Sequence, residues 1–213
     1  MCAMTRIPLH ENASLSRNEL LALKADIAVW ARELGFQQMG ISDIDLGEHP
    51  QHLARWLEQG YEAGMAWMHE PKRIAPAELV PNTQRIISLR MDYLPAEARI
   101  HEILGDADRA YIARYALGRD YHKLIRKRVQ KLADRMAEAI GPFGYRAFVD
   151  SAPVLEKAIA AQAGLGWAGK HTVIINRQAG SYFFLAELFT DLPLPVDEPV
   201  SSHCGTCSAC IDI

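Results

Sequence analysis

Long apolar runs are absent from this chain of 213 residues: nothing approaches the ~18 consecutive apolar residues that a membrane-spanning helix needs. The polar stretch from Met1 to Asn18 also lacks the apolar core of a secretory signal. Both absences lead us to expect a cytoplasmic protein without a membrane partner. Charge of one sign is missing too, because the net charge of −3 gives no overall drive toward nucleic acid and leaves only local patches to do so. Cysteine is scarce, with 4 in the whole chain. What is present is a globular composition, 49% hydrophobic and 23% charged, enough for one large domain or two small ones.

Three of the four cysteines, Cys204, Cys207 and Cys210, stand at two-residue gaps in the last ten positions. Neighbours so close cannot all pair with one another, and in a reducing compartment such a run binds metal. The pattern opens the C-x2-C-x2-C-x3-C-P loop of iron–sulfur clusters, and a zinc half-site is the alternative. The chain stops before a fourth ligand, so it reads as a fragment or a truncated gene model. Cys2 stands alone in residues 1–15, which read as a loose leader.

Helix and strand signals alternate along the rest. Ser16 and Glu19 form a capping box with Leu15 and Leu20 placed as a staple, and Leu20, Leu23, Ile27, Trp30, Ala31 and Leu34 recur on one helical face up to Gly35. A strand is expected over 36–42, a helix around Leu53 to Leu57, and a Pro-punctuated loop over 71–81. Residues 85–93 read as a strand and 121–140 as a helix ended by Gly141 and Pro142. Further strands are expected at 145–150, 172–176 and 181–190, a helix at 153–163, and a glycine-rich turn at 164–169. This order predicts a layered mixed α/β (α+β) domain over 16–191, and the Pro-rich stretch 192–199 reads as a linker to a cluster module in 192–213.

Chemistry could sit in three places besides the cysteines. Asp150 leaves an apolar strand end, where desolvation would favour a protonated carboxyl fit for general acid work; the alternative is an N-cap, by Asp150 or Ser151, for the next helix. The turn Gly164 to His171 could bring backbone close to a bulky or phosphorylated ligand with Lys170 as a point charge, or could be only a tight structural turn. It is not a Walker loop, because His171 stands where Ser or Thr is required. Arg119, Lys123, Arg126, Lys127 and Lys131 could form a phosphate-binding helix face, or simply a solvated one.

Taken together, residues 33–42, 85–93, 114–122, 149–156, 164–171 and the cysteine run resemble the epoxyqueuosine reductases, cobalamin-dependent iron–sulfur enzymes that complete queuosine in tRNA. The resemblance implies a nitroreductase-like cobalamin-binding domain followed by a ferredoxin-like module with two [4Fe–4S] clusters. It implies Asp150 as the proton donor to the epoxide oxygen. Cobalamin contacts would come from Ala113, Arg114 and Tyr115, from the turn with Gly166, Trp167, Lys170 and His171, and from Arg73, with Asp150 at the cobalt face. It further implies tRNA as partner, touched by the 119–131 face, a reductant feeding the clusters, and a monomer. With only Cys204, Cys207 and Cys210 as cluster ligands, this chain by itself would be inactive for lack of an electron path. The competing readings are a reductive dehalogenase-like corrinoid enzyme, a zinc-stapled RNA-binding module and a simple ferredoxin, the last disfavoured by about 190 residues ahead of the cysteines.

Overall fold

The computed structural model describes residues 15–96 and 98–212, so residues 1–14 of the expected leader, with Cys2, lie outside the described residues, while Leu15 packs against the main core. Helix α1, Arg17–Glu33, starts at the expected capping box: Ser16 Oγ accepts the Glu19 N–H, and Glu19 Oε2 accepts the Ser16 N–H at 2.8 Å. It ends at Gly35, whose φ of +86° lets the chain reverse while its N–H and that of Phe36 close on the last carbonyls. Strand β1, Gln38–Ser42, helix α2, His49–Glu58, the one-turn helix α3, Pro76–Leu79, and strand β2, Arg85–Asp92, follow. Then come α4, Ile100–Leu104, α5, Tyr121–Ile140, β3, Tyr145–Phe148, and α6, Glu156–Gln162. Strands β4, Trp167–Ala168, β5, Ile174–Ile175, and β6, Phe183–Thr190, complete the order.

A four-stranded sheet in the order β1-β2-β6-β3, antiparallel throughout, divides the domain. Alternation along β2 sends Ile87, Leu89 and Met91 to one face, where α1 (Leu23, Ile27, Ala31) and α5 (Ile125, Val129, Leu132, Met136) cover them. Ile86 and Phe189 point to the other face and pack with Phe148, Val154 and Ile159 under α6. A mixed α/β layered fold is therefore what the sequence pattern implied, here built on antiparallel pairing. No described helix is long and apolar enough to cross a membrane.

Three local expectations change. Helix α6 begins at Glu156, not at Pro153, because residues 151–155 are taken up by successive tight turns, Ser151 N–H to Val149 O and Val154 N–H to Ala152 O. The glycine turn contains β4, which pairs with β5 in a two-stranded hairpin. A Cβ at Gly166 would lie 2.2 Å from the Ile175 carbonyl oxygen, so this glycine is required by close strand packing. The Pro-rich stretch is not a free connector. Leu192 and Leu194 are buried in the main core, and Asp197 pairs with edge strand β1 through both its backbone and its carboxylate.

Candidate functional site

Asp150 sits just past β3 with φ +59°, a left-handed conformation that Asp tolerates better than bulkier residues. Its N–H donates to Glu156 Oε1 at 2.7 Å, tying the turn to the first residue of α6. Its Oδ2 accepts two hydrogen bonds, from Tyr121 Oη at 2.7 Å and from His122 Nε2 at 3.0 Å. Oδ1 has no such partner among the described residues. The Asp150 side chain is 59% exposed, and its carboxylate meets polar groups from the start of α5. The capping alternative fails, since Leu155 precedes α6 and no side chain caps it.

The two donors are fixed by the start of α5. Asp120 caps that helix by accepting the His122 N–H at 3.0 Å, and the same oxygen faces His122 Nδ1 at 2.9 Å. Tyr121 stacks between Phe184, at 4.0 Å, and the His122 ring, at 3.9 Å. Burial lowers the His122 pKa, but the hydrogen bonds to Asp150 and Asp120 outweigh it, and the imidazole is held above its ordinary range. With a carboxylate at each ring nitrogen, the imidazolium is the form that donates both ways. Burial and the Asp150 hydrogen bond both raise the Tyr121 phenol, which stays protonated and a donor.

Asp150 lies between two cavities. The one of about 420 Å³ has mostly apolar walls, including Leu53, Met68, Val154 and Leu155, with Arg73 among them. The other, about 230 Å³, is lined by Tyr93, Tyr121, Phe183 and Phe184. Its aromatic wall continues into a cleft carrying Arg114, Tyr115, Arg119 and Arg128. Of the residues expected at the cofactor, Arg73 shares the apolar cavity with Asp150, whereas Arg114 and Tyr115 line the basic cleft. Ala113 is exposed and opens their short 3-10 turn. Lys123, Arg126, Lys127 and Lys131 are exposed on α5, opposite its buried stripe.

Trp167 and Lys170 face elsewhere than expected. Trp167 Nε1 donates to Cys204 Sγ at 3.4 Å, and Lys170 Nζ donates to the carbonyls of Gly205 and Cys207 at 3.0 and 2.8 Å. The hairpin side chains thus hold the cysteine segment, in which Cys207 N–H closes a turn on Cys204 O. The Trp167 bond, followed by a contact from Lys170, lowers the Cys204 thiol pKa. Cys204, Cys207 and Cys210 are free thiols. His171 rests near Ser181 at 3.4 Å, and among the described residues its Nδ1 is buried without a partner, as are Nε of Arg73 and of Arg114.

Sequence reasoning missed Tyr121, His122, Glu156 and Glu187 as parts of this site. Tyr121 passed for one more apolar position of α5, and His122 was read only as part of a family segment. Glu187 carried a usable signal, a single charge inside the otherwise apolar run of β6.

The family model described as "Epoxyqueuosine reductase QueG, DUF1730" matches residues 73–151. The epoxyqueuosine reductase of Pseudomonas aeruginosa is 63% identical over 213 residues, covering 99% of this chain and 58% of that protein. The solved epoxyqueuosine reductase of Streptococcus thermophilus superposes with a TM-score of 0.78 at 29% identity, covering 89% of this chain and 51% of that one. An epoxyqueuosine reductase crystallised with an epoxyqueuosine-modified tRNA-Tyr stem loop gives 0.77 at 27%, over 91% of this chain and 52% of that one. The chain thus spans little more than half the length of these relatives. By sequence along nearly its whole length, and by fold, it belongs to the epoxyqueuosine reductase family.

Proposed function

We propose that the protein carrying this chain reduces epoxyqueuosine to queuosine at the wobble position of tRNA in the cytoplasm, as an oxidoreductase with Asp150 as proton donor. The observation that carries this reading is the placement of Asp150. A carboxylate with two proton-bearing partners, His122 and Tyr121, stands between an apolar cavity and an aromatic cleft that runs out to arginines. Removing an epoxide oxygen as water consumes two electrons and two protons and leaves an alkene. Asp150 takes a proton from His122, hydrogen-bonded to the same carboxyl oxygen, and delivers it to the epoxide oxygen as the C–O bond breaks; His122, reprotonated from solvent, supplies the second proton of water by the same route. Tyr121 holds that oxygen in place. The aromatic cleft would stack the unpaired wobble base, and the arginines and the α5 lysines would meet phosphates.

The residues present fit cobalamin in kind. The larger cavity offers the apolar walls a corrin face needs, and Arg73 brings a buried Nε without a partner to it. Arg73 and Asp150 would hold the group there, with Ala168 and Thr172 bringing the Gly166–His171 turn to the same wall, and bound cobalamin would supply the reducing metal centre. Ala113, Arg114 and Tyr115 would border it from the basic cleft. Cys204, Cys207 and Cys210 have the sequence spacing of three of the four thiolates of a [4Fe–4S] cluster, while among the described residues no three such side chains are gathered to hold a metal, so the segment would have to close around the cluster. In this reading the expected domain 16–191, extended by the docked strap through Asp197, forms the nitroreductase-like catalytic domain, and the residues after it begin a ferredoxin-like module fed by a reductant, in a monomer.

Anaerobic expression with cobalamin and iron supplied tests this reading. A coloured protein with corrinoid absorbance and iron supports it. A colourless protein that takes up no corrinoid in excess, and holds only zinc on its cysteines, overturns it in favour of a zinc-stapled RNA-binding module.

A further inference from the structure

Beneath the Asp150 turn lies a second acidic group that the chemistry above does not use. Glu187, in the middle of β6, is fully buried, and neither of its carboxyl oxygens meets a donor among the described residues. Its antiparallel partner on β2 is Ser88, so both side chains point to the α6 face of the sheet, and Ser88 Oγ is likewise buried without a partner. Across the sheet Glu187 faces Phe148 on β3, two residues before Asp150, and Glu156 at the start of α6 is the neighbouring carboxyl that shifts its ionisation. Ionised carboxylates are acceptors only, and one buried with no donor is strongly disfavoured in its charged form, which calls for a proton on the pair. Burial is the largest influence raising both pKa values, and it acts most strongly on Glu187.

We infer that Glu187 and Glu156 share one proton, and that this buried pair positions Asp150 by keeping a Glu156 oxygen available to the Asp150 N–H. Glu187 is the donor and Glu156 the acceptor. Glu156 Oε1 then takes the Asp150 N–H at 2.7 Å and stabilises the left-handed turn that aims the Asp150 carboxyl between the two cavities. Loss of the shared proton would set two negative charges together in a buried space and drive Glu156 out, releasing the turn. The charged or titratable groups facing the pair are Asp150 from the β3 turn and His122 and Tyr121 from α5. Lys157 on α6 lines the same cavities as Glu156, and β2 offers only the neutral Ser88. Glu156 and Glu187 are positioning residues, and their value to turnover rests on Asp150 being the proton donor.

Two readouts on the chain itself test the pair without corrinoid, iron or tRNA, so their failure is distinct from failure of the proposed function. Infrared spectroscopy at neutral pH should show the carbonyl stretch of a buried protonated carboxyl, shifting in heavy water. It should vanish in the near-isosteric Glu187→Gln and persist in Asp150→Asn. By hydrogen exchange, the Asp150 amide should lose at least about tenfold of its protection in Glu156→Ala, the loss of one ordinary hydrogen bond. Glu156→Gln and Glu187→Gln, which keep an acceptor on residue 156, should retain that protection. Raising the pH in wild type should abolish the infrared band and the Asp150 protection together. No band in wild type, a band lost in Asp150→Asn, or unchanged protection in Glu156→Ala overturns the inference.

Discussion

Replacing Asp197 by Ala tests whether residues 192–199 are a connector or part of the fold. Asp197 Oδ2 accepts the Ile41 N–H at 2.8 Å, and its Oδ1 lies 2.6 Å from Lys24 Nζ. Ile41 is fully buried on the outer edge of β1, so truncation leaves its N–H unsatisfied, at a cost of about 1–3 kcal/mol. Lys24 is 22% exposed and keeps the Pro195 carbonyl at 3.0 Å; with solvent screening, loss of its ion pair adds about 0–1 kcal/mol. The expected total is about 1–4 kcal/mol. For a chain of this size that lowers the melting temperature by about 2–16 °C. Asp197→Asn, which still offers Ile41 an acceptor, should lose about 1 kcal/mol or less. Urea unfolding of the three proteins measures this. An Asp197→Ala midpoint within about 0.5 kcal/mol of wild type, the range of an ordinary surface change, would refute the reasoning and restore the free linker.

Leu132→Ala, emptying a fully buried position where α5 meets the main core, should cost about 2–5 kcal/mol by urea unfolding; less than 1 kcal/mol contradicts the α5 packing. Lys170→Ala should leave global stability nearly unchanged yet raise hydrogen exchange across residues 204–210 and lower the iron retained after anaerobic reconstitution. Unchanged exchange there would deny that Lys170 holds the cysteine segment. The raised His122 value means that its protonated form stabilises the fold. That contribution is complete below the ordinary imidazole value of about 6.5 and is lost as pH rises through the raised value. Wild type should therefore lose stability relative to His122→Gln above about pH 6.5, and a difference that stays flat with pH contradicts the His122 contacts.

Local sequence signals located α1 and α5 well because their information is local. A capping box, an apolar stripe at helical spacing and a closing glycine each act within a few residues. Strand β2 was legible for the same reason, as a β-branched run bounded by prolines. The antiparallel order was not, since β2 pairs with β6 about a hundred residues away and nothing local records that partner. The strap at 192–199 looked like a linker because proline and acid dominate its composition. Its two leucines and Asp197 are what dock it, on surfaces that exist only after folding. Asp150 could be singled out from its place at a strand end, next to the apolar cavity. The hydrogen bonds from Tyr121 and His122 could not, because they come from a helix about thirty residues earlier. Arg73 lines the apolar cavity while Arg114, Tyr115 and Arg119 line the aromatic cleft, a separation that charge alone could not show.

Turnover of tRNA bearing epoxyqueuosine by the protein that carries this sequence, loaded with cobalamin, tests the proposed role of Asp150 directly. Asp150→Asn keeps the shape of the side chain and should keep cobalamin bound while queuosine formation falls at least about 100-fold, the scale of a lost general acid. Wild-type turnover in that variant, with the cofactor in place, would contradict the account.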